Sequence, residues 1–139
     1  MSLKSKFKSS ATKIQEGVWF DIDTNADGTK SRVKLRRQGR SNRLWVAAFR
    51  ERTAGKDMEN VSVEEDEIIT ADVFVDACVV GWEHLQLEDD GNEYEFSQEN
   101  ARTLLKDPDW NDLLKDWQGK AAGLAPFQDE AKKKAEAGN

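Results

Sequence analysis

Strict alternation of apolar and polar residues at two places constrains this chain most. Val18, Phe20 and Ile22 alternate with Trp19 and Asp21, and Val33 and Leu35 alternate with Arg32, Lys34 and Arg36. A period of two puts every second side chain on one face of a strand. Between the runs lies Thr24-Asn25-Ala26-Asp27-Gly28, where Asn, Asp and Gly tolerate φ > 0. The pattern predicts a β-hairpin over residues 17–37 with one buried and one basic face. The same turn matches half of an EF-hand loop, with Asp23, Asn25 and Asp27 as alternate ligands and Gly28 sixth. Position twelve should be a bidentate Glu and is Lys34, so a hairpin turn is the better reading and no calcium binding is expected.

Beyond the hairpin the chain is punctuated by helix caps. Ser41 or Asn42 can start a helix carrying Trp45, Ala48, Phe49 and Arg52, ending near Gly55. Ser62-Val63-Glu64-Glu65 reads as a capping box, Ser62 and Glu65 each satisfying the other's backbone donor. The helix after it is expected to reach His84, with Ile68, Ala71, Val75, Cys78, Val79 and Trp82 on one face. The β-branched run over 73–80 leaves a strand open there. Ser97 caps a helix through Leu104 and Leu105. Asp107-Pro108 starts another, lined by Trp110, Leu113, Leu114 and Trp117. The expected fold is mainly α (α+β): an N-terminal β-hairpin packed on a bundle of about four to five helices. One globular domain spans 17–118. Residues 1–16 are expected to be a flexible basic tail, and 119–139 a weakly ordered or helical one.

Composition narrows the function classes. One cysteine, Cys78, excludes an internal disulfide, and with the single His84 it falls short of the common zinc sites. Cys78 has no basic neighbour in sequence and reads as core. There is no Walker loop, no Gly-rich dinucleotide fingerprint and no nucleophile elbow, so no catalytic residue, no cofactor and no enzyme activity are expected. No apolar run approaches a membrane span. Lys4, Lys6 and Lys8 near the N-terminus precede no apolar core of a signal peptide.

The net charge of −6 hides a split: residues 1–52 sum to +8 and residues 53–139 to −14. Such a chain can attract copies of itself through unlike ends, a heterologous contact. The basic patch of Lys34, Arg36, Arg37, Arg40 and Arg43, with Lys30 and Arg32, could instead hold nucleic-acid phosphates, with Trp45 stacking on a base. The acidic remainder repels a polyanion, so nucleic acid is the lesser reading.

From Gly81-Trp82 onward the order of residues resembles a family of tailed-phage tail assembly chaperones, or small tail-morphogenesis proteins. The pieces are Asp90-Gly91, Phe96-Ser97-Gln98-Glu99-Asn100, Leu104-Leu105, Asp107-Pro108 and the terminal Gly138-Asn139. Arg36-Arg37 and Gly39 ahead of Ser41-Asn42 look similar as well, and the likeness covers roughly residues 17–118. The resemblance implies a non-enzymatic protein of the host cytoplasm that keeps the tape-measure protein soluble during tail assembly and is absent from the mature virion. The alternatives are a structural tail subunit of the virion and a nucleic-acid-binding protein. A tape-measure chain is long, helical and amphipathic, so its partner needs an apolar groove with aromatic anchors. Trp is enriched in such hot spots, and the anchors expected here are Trp45, Phe49, Trp110 and Trp117.

Overall fold

The computed structural model describes residues 2–129. Its elements run α1 (Leu3–Phe7), α2 (Ala11–Glu16), β1 (Val18–Thr24), β2 (Lys30–Leu35), α3 (Arg43–Thr53), α4 (Val63–Ala77), β3 (Val79–Glu83), α5 (Gln98–Lys106) and α6 (Asn111–Ala122). Short 3₁₀ turns lie at Pro108–Trp110 and Ala125–Phe127. The architecture is α+β, with a three-stranded antiparallel sheet in the order β1-β2-β3.

The hairpin forms as its alternation dictates. Phe20 pairs with Val33 and Trp19 with Lys34. Val33 and Leu35 are fully buried on the inner face. In the turn, Gly28 takes φ 89° and its amide donates to the Asn25 carbonyl at 2.9 Å. Asp27 Oδ1 accepts from the Thr29 amide at 3.0 Å and its hydroxyl at 2.6 Å, and Oδ2 from Gln86 at 2.9 Å. These bonds, the Thr29 hydroxyl foremost, hold the Asp27 carboxyl at about 2. Gly17, ahead of β1, has φ 90°, and a Cβ there would lie 3.1 Å from the Leu35 carbonyl oxygen, so no other residue fits without movement.

The outer face is mixed in charge, which corrects the expected basic one. Arg32 sits between Asp21 at 3.5 Å and Glu83 at 3.1 Å, with its guanidinium 4.9 Å from the Trp19 ring. Glu83 arrives on β3, in the stretch expected to be helical to His84 but open to a strand over 73–80. α4 instead ends at Ala77, and Val79–Glu83 pairs with β2, setting Trp82 opposite Val33. Two distant groups take over the carbonyls at the break. The Asn42 amide donates to Ala77 O at 3.0 Å, and the Arg36 amide to Cys78 O at 2.8 Å. The second edge of β2 otherwise lacks a partner, and the β-branched residues after Cys78 suit a strand.

The caps hold with one change. Asn42, fully buried, accepts from the Leu44 amide at 3.0 Å while its own amide also reaches Arg37 O at 2.9 Å. Ser97 accepts from the Asn100 amide at 2.9 Å, and Asp107 from the Asp109 amide at 3.0 Å. Ser62 accepts from the Glu65 amide at 3.1 Å, but the Glu65 carboxylate does not return the bond. It pairs with Lys56 at 2.6 Å, so the capping box is half-formed.

Residues 2–16 form two short helices rather than an unstructured tail, a further correction. The Ser10 amide donates to Phe127 O at 2.7 Å, Lys13 Nζ to Gln128 O at 2.8 Å, and Gln128 Nε2 to Lys6 O at 3.0 Å. Ile14, Phe127 and Gln128 are buried, and Phe127 meets the Phe20 ring at 6.2 Å between centroids. The expected C-terminal tail therefore contributes to the core up to Gln128, and α6 continues through Gly119 to Ala122. The rest of that tail, residues 130–139, lies outside the described residues.

Candidate partner-binding surface

Trp45 and Phe49 lie one turn apart on α3 and stack, with ring centroids 5.4 Å apart and 14° between planes. A residue spacing of four places them on one flank of the helix. Together with Ile69, Val73 and Phe74 of α4 they line a groove of about 80 Å³. Phe49 is 43% exposed, high for an aromatic already stacked on a neighbour. Gln38, Thr70, Gln118 and Asp66 supply polar groups at the groove. The groove has room for one aliphatic side chain, well below the size of typical small-molecule pockets.

The other two expected anchors lie elsewhere. Trp117 is fully buried, 6.0 Å from Trp82 between ring centroids, and is a core residue. Trp110 is half-buried and lines a separate opening with Leu87, Tyr94 and the acidic loop residues Glu88, Asp90 and Glu93. The four aromatics thus form no common groove.

The basic patch is similarly dispersed. Arg36 Nε donates to Gln15 O at 2.6 Å and Arg37 Nη1 to Ser9 Oγ at 3.2 Å, so one binds α2 and the other the link between α1 and α2. Lys34 stands on β2 between Trp19 and Gly81. Arg40 and Arg43 are exposed at the start of α3. Trp45, stacked on Phe49, faces the α4 groove rather than that patch.

Sequence reasoning missed an ionic clamp across three helices. Asp72 and Asp76 are four apart on α4. Asp72 pairs with Lys106 of α5 at 2.7 Å. Asp76 Oδ2 accepts from Arg52 Nε at 2.9 Å and Nη2 at 2.8 Å, and its Oδ1 from Arg102. The Asp76 bond raises the Arg52 pKa further. The two-pronged geometry lets α4 carry charge into a largely buried layer, since each carboxylate is met from both flanking helices. The available signal was the Asp pair at helical spacing within an otherwise apolar run.

His84 and Cys78 also find places. His84 sits at φ 53° with Nδ1 against Glu93, whose hydrogen bond and charge raise its pKa. Cys78 is buried, and desolvation pushes its thiol up to about 12, far from a reactive thiolate. Among the described residues no group of three or more His, Cys, Asp or Glu could hold a metal ion. No helix among them is long and apolar enough to cross a membrane.

Residues 30–139 match the family model described as YdaY prophage protein. The chain belongs to that family. YdaY membership makes it a phage-related protein, and the matched span starts at β2 and takes in α3, α4, Trp45, Phe49, Trp82, Trp110 and Trp117. Comparison with the curated proteins and with the solved structures returns no match.

Proposed function

We propose that this prophage protein is a non-enzymatic assembly protein that holds an amphipathic helix of another phage protein against the Trp45–Phe49 surface. In a tailed phage the client with the required chemistry is the tape-measure protein, whose apolar stripes aggregate unless covered. The observation that carries the reading is the stacked pair itself, with Phe49 43% exposed beside the groove between α3 and α4. A rigid aromatic shelf beside one small apolar socket fits a helix laying its apolar face down, one side chain inserted. The protein acts in the host cytoplasm during assembly and leaves before the particle is complete.

Co-expression with the neighbouring tail genes, followed by pulldown and mass spectrometry, tests this. A long helical protein should be captured, and Trp45→Ala with Phe49→Ala should lose at least about tenfold of it, as hot-spot removal does. Capture unaffected by the double substitution, or recovery of this chain as a component of purified virions, would overturn the proposal.

A further inference from the structure

α1 and one flank of α4 are both left unfinished within a single copy. Leu3 and Phe7 share one face of α1 and are 76% and 59% exposed. No residue of that helix is buried, and Lys4, Lys6 and Lys8 are exposed around the pair. An isolated five-residue helix is far too short to persist in water without packing. On the opposite flank of α4 from Trp45, a groove of about 430 Å³ opens between α4, α5 and the start of α6. Ile68, Leu105, Pro108 and Leu114 give it an apolar lining, with Glu64 and Glu67 on α4 beside them. Ile68 is 47% exposed, and both glutamates are exposed. Lys106 also borders the groove, but its ammonium is committed to Asp72 at 2.7 Å.

We propose that α1 of one copy seats Leu3 and Phe7 in this groove of the next copy, with Lys4 and Lys6 against Glu64 and Glu67. The lysine-flanked apolar pair and the glutamate-flanked apolar groove are complementary in both charge and polarity. The occupant is a second copy because the Gln128–Lys6 bond holds α1 at its own C-terminal clasp while its apolar pair stays exposed. The contact joins unlike surfaces and need not close at two subunits, so it can propagate as a ring or a row. It uses neither Trp45 nor Phe49 and needs no client, so it stands apart from the proposed function.

Sedimentation velocity of the full chain over a concentration series, at low and at 0.5 M salt, tests it. Concentration-dependent oligomers are expected at low salt, weakened by screening as salt rises. Lys4→Glu with Lys6→Glu, Glu64→Lys with Glu67→Lys, and Leu3→Ser with Phe7→Ser should each weaken association about tenfold. All these positions are exposed, and far-UV circular dichroism checks that each variant is folded. An equimolar mixture of the two charge-reversed variants restores opposite signs at every joint and should recover association, whereas the Leu3/Phe7 variant should not be rescued by the Lys4/Lys6 variant, since neither carries an intact α1. A monomer at all concentrations, association indifferent to these substitutions, or no rescue on mixing overturns the proposal.

Discussion

The cluster around Trp82 and the pair at Trp45 use the same residue types and end in opposite environments. Trp82 stacks on Tyr94 at 5.8 Å, meets Phe96 edge-on at 4.9 Å and touches Trp117 at 6.0 Å. Its indole N–H donates to Tyr94 O at 2.6 Å, so the polar handle of a buried ring is satisfied. These residues come from β3, the loop after it and α6, and they bind elements far apart in sequence. Trp45 and Phe49 come from one turn of one helix and lean on α4 from outside. A ring surrounded by several elements stabilises the fold, and a ring that covers only one neighbour keeps a face for something else.

Substitutions should separate the two clusters, beginning with the deepest ring. Trp117→Ala is expected to cost about 3–5 kcal/mol, since it removes a fully enclosed side chain and leaves a cavity. Denaturant melts measure it, and Cys78 gives an independent readout. With its thiol pushed up to about 12 by burial, Cys78 should resist a thiol reagent in the native protein and become reactive in this variant. Trp82→Phe keeps most of the ring packing but deletes the bond to Tyr94 O, and about 1–2 kcal/mol should be lost in the same melts. Phe49→Ala should change stability by less than about 1 kcal/mol, because much of the ring already faces water, while the Cys78 rate stays native. A loss comparable to that of Trp117→Ala would make Phe49 a core residue and erase the contrast.

The smallest effect concerns the loop that carries Tyr94 and Phe96 to Trp82. His84 has its pKa raised by Glu93, so the charged pair favours the folded state below the unfolded value of about 6.5. That contribution disappears as pH rises through the folded-state pKa. Comparing melts of the wild type and Glu93→Gln at pH 5.5 and 8 should show a gap at the lower pH that closes at the higher one. An equal gap at both would mean that Glu93 acts on the loop without the charge on His84.

Local chemistry made much of the fold legible, and it did so at particular residues. Asn42, Ser62, Ser97 and Asp107 each cap the helix or turn they precede, because capping needs only a side-chain oxygen two or three residues from a free amide. The hairpin was equally readable from alternation and an Asp-Gly turn. What escaped depends on partners remote in the chain. β3 exists because β2 offers an unpaired edge, and the clasp of residues 2–16 on Phe127 and Gln128 joins the two ends of the described chain. Glu65 turned from its capping bond to Lys56, nine residues earlier in the chain. At the candidate site, the sequence grouped Trp45, Phe49, Trp110 and Trp117, whereas the structure stacks the first two on α3, sets Trp110 at a separate opening and buries Trp117. A tryptophan's preference for burial or for a partner is nearly balanced by its own chemistry. Tertiary packing alone sealed Trp117 among β3, its loop and α6, and left Phe49 facing water, because only the assembled elements determine how many sides of a ring are covered.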